Sequence, residues 1–414
     1  MRANLSAAVL FLLVAIAVFV PIHAQAQLNT LWTFSGGLDG GSPNALSIGS
    51  DGTIYGTAAS GGANNLGIVF QLTPNGSGWS ESVLYSFTGG RDGSFPNALT
   101  FGADGNLYGT AQNGGNVNCP FGCGTVFQLK PISSGWELNV VHTFRGRTDG
   151  HDPVGVNFDS AGNIYGTTLY GGPSDQGVAY ELTPTSGGAW NETVLYSFTG
   201  GRDGGYPNPQ LVIDASGDVF GTTPYGGVAP GLRGFGSAFE LSPSSSGMKY
   251  AMIAAFLGNG ANLPGAYPFF GLVSDGAGTL YGTTTGGDGD FGNIYRMEPN
   301  PLGGRWYFKV LHFFSTNANG SYPTSLVRDS AGNLYGAAPT GGPGHCPSGC
   351  GTLVALQPQS DSWQFSLLYA FTGQSDSNGP ANLILDSEGN LYGTTFGLPG
   401  GAPGTVFELP TPLF

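Results

Sequence analysis

Asp104-Gly105-Asn106-Leu107-Tyr108-Gly109-Thr110 reads as a tight turn running straight into a strand. Asp-Gly between apolar segments is a hairpin signal. A glycine directly after the aromatic residue of a strand leaves room for close approach by a neighbour. The core of this stretch, apolar-aromatic-Gly-Thr, comes back along the whole chain. It stands as Ile54-Tyr55-Gly56-Thr57, Ile164-Tyr165-Gly166-Thr167, Val219-Phe220-Gly221-Thr222, Leu280-Tyr281-Gly282-Thr283, Leu334-Tyr335-Gly336-Ala337 and Leu391-Tyr392-Gly393-Thr394. The aromatic positions are 55, 108, 165, 220, 281, 335 and 392, a tandem repeat with a period of about 56 residues.

Outward from Leu107, each repeat carries four strand-like pieces. In the second copy these are Ala98 to Phe101, Leu107 to Ala111, Thr125 to Leu129 (ended by Pro131) and Trp136 to Phe144, lettered A to D. Four short strands joined by turns describe one antiparallel propeller blade. No 3.6-residue apolar period is present, which excludes helical repeats of similar length. Strand C, Thr125-Val126-Phe127-Gln128-Leu129, has apolar residues on both faces, as a blade covered by a neighbour on each side requires. The two ends complement each other. Leu28-Asn29-Thr30-Leu31-Trp32-Thr33-Phe34 matches the D strands Val83-Leu84-Tyr85-Ser86-Phe87 and Val194-Leu195-Tyr196-Ser197-Phe198, whereas Gly404-Thr405-Val406-Phe407-Glu408-Leu409 is a C strand with no D strand after it. The reading is an all-β, seven-bladed β-propeller closed by strand 28–34, which completes the last blade and removes an exposed sheet edge.

Composition agrees. The 414 residues include 74 Gly and 28 Pro, with 40% hydrophobic, 12% aromatic and only 9% charged residues. Such a chain buries a core and is rich in turns. Net charge is −14, with Lys only at Lys130, Lys249 and Lys309 and no basic run. That balance excludes nucleic acid and anionic lipid as partners. Arg2, the apolar stretch Ala7 to Val20 and Ala24-Gln25-Ala26 form a Sec-type secretory signal over residues 1–26. Residues 27–414 are then one propeller domain, expected to be secreted or extracytoplasmic, monomeric and without a membrane span. The four cysteines form two C-P-x-G-C motifs, Cys119/Cys123 and Cys346/Cys350, in the B–C loops of blades two and six. Those blades lie too far apart for one zinc ion. Two local disulfides fit an oxidising compartment.

Three motifs recurring in fixed order resemble a known family. Val194-Leu195-Tyr196-Ser197-Phe198-Thr199-Gly200-Gly201-Arg202-Asp203-Gly204, the Asp104 to Thr110 turn and Gly404 to Leu409 are similar to the GloVer tandem repeat of bacterial choice-of-anchor surface proteins. The resemblance covers nearly all of residues 27–414. It implies secretion and a propeller, and carries no catalytic residues with it. Many members have a C-terminal anchor; here Phe414 follows strand C closely and no anchor is seen.

In a propeller the D–A and B–C loops emerge on one face. Here they hold Arg91, Asp92, Arg145, Arg147, Asp149, His151, Asp152, Arg202 and Asp203, with Tyr170 and Tyr225 from B–C loops and Phe95, Tyr206, Tyr267 and Tyr322 before prolines. Aromatic platforms beside donors and acceptors suit a sugar polymer. The competing reading for the repeated Asp residues is that they hold turns. His142 and His312 stand where other blades have Tyr85, Tyr196 and Tyr369, and read as strand packing. Asp288-Gly289-Asp290 begins like a calcium loop but lacks its distal ligands, and no hydrolase or phosphate-loop motif is present. No metal or cofactor is expected, and no catalytic residue is identified. The favoured function is an extracellular binding or surface-interaction module for a polysaccharide or cell-surface protein. The alternative is a secreted polysaccharide lyase or glycosidase, which would need carboxylates, or a His with a Tyr and a base, converging over the central channel.

Overall fold

The computed structural model describes residues 27–410 apart from 77, 229–233, 259–264, 287–290, 305, 315–316 and 398–402. The expected signal segment, Asp288 and Asp290 therefore lie outside the described residues. Seven four-stranded antiparallel sheets are present, each ordered A-B-C-D. In blade two the strands are Ser94–Phe101, Leu107–Asn113, Thr125–Ile132 and Gly135–Thr143. Blade seven takes A, B and C from Pro380–Leu385, Leu391–Thr395 and Thr405–Leu409, and D from Asn29–Thr33. The closing pair runs from Thr33↔Thr405 to Asn29↔Glu408, and the Asn29 amide donates to Glu408 Oε2 (3.1 Å). Among the described residues no helix is long and apolar enough to cross a membrane.

The core lies between blades. The phenylalanine ending each D strand (Phe34, Phe87, Phe144, Phe198, Phe256, Phe314, Phe371) is fully buried. Six of these rings meet an aromatic of the next blade's C strand at 5.0–5.4 Å: Phe70, Phe127, Tyr180, Phe239, Tyr295 and Phe407. Blade six carries Val354 at that place. The strand B glycine is required by the same packing. A Cβ on Gly109 would fall 2.5 Å from Phe127 Cζ.

A second device joins each blade to the next, and the sequence reading did not foresee it. A proline stands in or just ahead of each strand A, and the residue before it has positive φ in all seven blades: Ser42, Phe95, Asp152, Tyr206, Tyr267, Tyr322 and Gly379, at 55–65°. Its N–H donates to the carbonyl before the last B–C glycine of the preceding blade, as in Phe95 to Leu66 (2.9 Å), Tyr206 to Gln176 (2.8 Å) and Ser42 to Pro403 (2.7 Å). The glycine following that carbonyl, Gly67 or Gly177 or Gly404, sits so close to the proline Cδ that a Cβ would come within 2.4–2.7 Å. Seven alike latches thus ring the loop face, the closing junction included.

Candidate functional site

The loop face is where the repeat loses its symmetry. The repeated carboxylates go into turns there. Asp92 Oδ2 accepts the Thr88 N–H (2.7 Å) and the Tyr85 hydroxyl (3.1 Å), and Oδ1 accepts the Thr88 hydroxyl (2.6 Å). Asp203 repeats this with Thr199 and Tyr196, and Asp376 with Thr372 and Tyr369. The tyrosines gain in turn. Burial first, and the aspartate charge with it, push the Tyr85, Tyr196 and Tyr369 hydroxyls up to about 12, so each remains a donor. Asp92, Asp149 and Asp203 are only 8%, 4% and 7% exposed. This corrects their placement on a binding surface: their oxygens are occupied within the turn or closed off from solvent.

The arginines differ. Arg91, Arg145, Arg147 and Arg202 are exposed, and none makes an ion pair among the described residues. The donors set on successive D–A loops therefore remain free.

The aromatic residues form one continuous arc across blades three to five. The His151 ring stacks on Tyr170 (5.3 Å, 15°), Tyr170 meets Tyr206 edge-on (5.3 Å), Tyr206 meets Tyr225 (5.6 Å), and Tyr225 meets both Tyr267 (5.9 Å) and Phe269 (5.8 Å). Tyr170, at the end of strand B, Tyr225 and Phe269 are the exposed rings of the arc at 36%, 43% and 39%. Tyr206 stands between Tyr170 and Tyr225, and Tyr267 follows Tyr225, both on the strained pre-proline positions. A bulky residue at positive φ costs of order 1–3 kcal/mol and tends to mark a functional surface. At the open end, His151 lies between two carboxylates, with Nδ1 3.3 Å from Asp152 and Nε2 3.5 Å from Asp175. Burial, partly offset by the bond from His151, raises the Asp152 carboxyl. Phe95 and Tyr322 hold the same backbone position in other blades and make no ring contact with the arc among the described residues. Phe269, Asp175 and Phe235, the last 5.5 Å from Tyr267, were missed by sequence reasoning. The aromatic run Pro268-Phe269-Phe270 was the available signal for Phe269.

Three other cavities weigh against alternative sites. The central channel, about 240 Å³, is lined by A-segment residues of all seven blades, among them Asn97, Asn157, Ser325 and Asn382, with no carboxylate among the described residues of its lining. Clefts of about 410 Å³ and 710 Å³ open on the A–B face between blades two and three and between blades four and five. Their walls are inter-blade packing, Trp190 on Tyr108 and Trp306 on Phe220, repeated as Trp136 on Tyr55 and Trp363 on Tyr281. The disulfides Cys119–Cys123 and Cys346–Cys350 are both formed, each with Cα atoms 5.1 Å apart.

Among solved structures the chain is similar to the extracellular domain of BT4673 from B. thetaiotaomicron, described as a one component system (TM-score 0.59, 11% identity, 94% of this chain and 40% of that one). It is similar to the extracellular domain of BT3049 from the same organism, described as a hybrid two component system (TM-score 0.57, 10% identity, 94% and 41%). A third likeness is to a protein from Bacteroides uniformis described as a 6-phosphogluconolactonase (TM-score 0.51, 13% identity, 79% and 84%). The chain spans about two-fifths of the first two proteins' length. At these identities the likeness is one of fold. No curated protein matches the sequence. The repeat itself does: the Gloeobacter/Verrucomicrobia repeat matches residues 17–189 and 118–304, and with its motifs, its period and its blades accounted for, the chain belongs to the Gloeobacter/Verrucomicrobia repeat family.

Proposed function

We propose that this propeller is an extracytoplasmic binding module that holds a polysaccharide along the aromatic arc of its loop face. The observation that carries this reading is the unbroken series His151, Tyr170, Tyr206, Tyr225 and Tyr267, with centroid steps of 5.3–5.9 Å. The exposed rings of Tyr170, Tyr225 and Phe269 offer the C–H faces of sugars places to stack, and the unpaired Arg147 and Arg202 supply donors for hydroxyl or acidic groups. Two disulfides and a leader-like start fit a chain that works outside the cytoplasm, as do the extracellular domains of similar fold. Binding is favoured over hydrolysis because the described channel lining holds no carboxylate pair, and over elimination because it holds no His, Tyr or basic residue.

The test is retention of the full chain on immobilised plant and microbial polysaccharides, with soluble products assayed in parallel. One glycan class should retain the protein and release nothing. Tyr225→Ala should abolish retention while leaving thermal unfolding unchanged. Product release would establish the enzymatic reading instead, and retention that survives Tyr225→Ala and Arg147→Ala together would remove the arc as the site.

A further inference from the structure

Where blades one, three and six carry a tyrosine that donates to the D–A loop aspartate, blade two carries His142. Its Nε2 stands 3.5 Å from Asp149 Oδ2 without forming a hydrogen bond, and a third group faces both. Glu192, on strand D of blade three (Trp190–Ser197), brings a carboxylate oxygen to the same spot, so that the three ligand atoms lie within 4.8 Å of one another. His142 Nε2, Asp149 Oδ2 and Glu192 Oε1 are all buried, and none has a hydrogen-bond partner. The Asp149 side chain is only 5% exposed.

The repeat supplies an internal control. His312 replaces the tyrosine in blade five in the same way, but its neighbours there are the Asn319 amide (3.4 Å) and the Phe365 ring, stacked at 3.9 Å. Burial lowers the His312 imidazole to about 4, and it is a neutral packing residue, as the sequence reading expects. His142 meets a carboxylate at each of those two places. One histidine in the ring therefore packs, while the other sits against two acids, each with a buried oxygen that lacks a partner.

We propose that His142, Asp149 and Glu192 bind a first-row divalent transition metal ion of the Zn²⁺ class, which ties the blade-two D–A loop to blade three. A proton on Nε2 can serve one of the two carboxylates; a divalent cation serves both, and balances their two negative charges with the imidazole neutral. Imidazole with two carboxylates suits zinc and its neighbours rather than calcium or magnesium. Three protein ligands leave coordination positions for water. Outer contacts already orient the donors. The Arg145 N–H holds Asp149 Oδ1 at 2.8 Å, turning Oδ2 toward the histidine, in the manner of the supporting shell around metal ligands. The ion would fix the loop that carries Arg145, Arg147 and His151 beside the Cys119–Cys123 bridge, whose Cys119 Sγ packs against Gly146. This site shares no residue with the aromatic arc and stands or fails separately from it.

The test uses the full chain, stripped with EDTA and titrated with Zn²⁺, and with Co²⁺ for its visible bands. One equivalent should bind, raise the melting temperature and give a Co²⁺ spectrum of a nitrogen–oxygen site. His142→Tyr restores the side chain of blades one, three and six and should fold, yet weaken binding by at least about 100-fold, the upper end of what losing a supporting partner costs a metal site. Glu192→Gln preserves shape and should also weaken binding, and His151→Ala should leave it unchanged. Wild-type affinity no greater than that of both His142→Tyr and Glu192→Gln, or binding lost with His151→Ala, overturns the proposal.

Discussion

Glycine after the strand B aromatic is an invitation to a neighbouring ring, and the ring decides how strictly it is needed. A Cβ on Gly109 would meet Phe127 Cζ at 2.5 Å and Ala98 O at 2.3 Å, whereas on Gly336 the nearest atom is Val354 Cγ2 at 3.3 Å. Gly109→Ala should therefore cost about 1–3 kcal/mol of overpacking, and Gly336→Ala a few tenths; urea unfolding of the pair checks this, and equal costs would show that the ring does not set the requirement. Tyr206 poses the opposite trade. Its φ of 59° disfavours a side chain by roughly 1–2 kcal/mol, and blade seven uses Gly379 at the same place. Tyr206→Gly should leave stability within about 2 kcal/mol of wild type, the strain relieved offsetting much of its two edge-on contacts with Tyr170 and Tyr225, while glycan retention falls. A large loss of stability would make Tyr206 a packing residue only. The sequence displayed Tyr206 as an aromatic before proline, but not its backbone. A residue before proline is normally extended, so the left-handed conformation became visible only with the Gln176 carbonyl it reaches.

Strands and turns were the most legible level, because the apolar-aromatic-Gly-Thr motif, Asp-Gly turns and Cys spacing all act within a few residues. The four cysteines paired as expected for that reason. What crosses between strands was hidden. Glu192 lies 50 positions from His142 and meets it only because blades stack with this offset. The clue available was that the residue four before the Tyr196-type position packs on the preceding blade, as Tyr250 does on Tyr196 (4.8 Å). The same offset puts Glu81 of blade one near the closing strand. Its carboxyl is pushed up to about 7, mainly by burial and then by the charge of Asp39, and neither Glu81 Oε1 nor the buried Trp32 Nε1 has a partner. A carboxyl whose folded value lies above its ordinary one favours the folded state while protonated. The contribution of Glu81 is thus complete below about pH 4.5 and lost as pH rises through about 7. Melting curves from pH 4 to 8 should show wild type losing ground to Glu81→Gln across that window; parallel curves would rule the linkage out.

The molecule as a whole is a ring in which every junction carries the same latch. The A–B turns present an aspartate in each blade, Asp51, Asp104, Asp159, Asp214, Asp275, Asp329 and Asp386, opposite the loop face with its four exposed arginines. Blade count and closure were readable because the half-repeats at positions 28–34 and 404–409 complete each other. Which loops cooperate was not, since that depends on which blades come to lie side by side. Deleting residues 28–34 removes Leu31 and Phe34, 8% and 1% exposed, worth about 3–6 kcal/mol together at roughly 1.5–3 kcal/mol each, and leaves Thr405–Leu409 as an open edge. The truncated chain should melt well below wild type and self-associate in size-exclusion chromatography; an unchanged melting temperature would mean that strand 29–33 does not close the ring. The closing pair also sets an order in time. Asn29 and Glu408 are 379 residues apart, so during synthesis strand 29–33 stays without its partner until Thr405–Leu409 has been made. Closure then carries the largest loop-entropy cost in the chain. The rate of ring formation should follow that single search, and a rearranged gene that placed strand 29–33 directly after Leu409 would turn the slowest contact of the fold into one of its fastest.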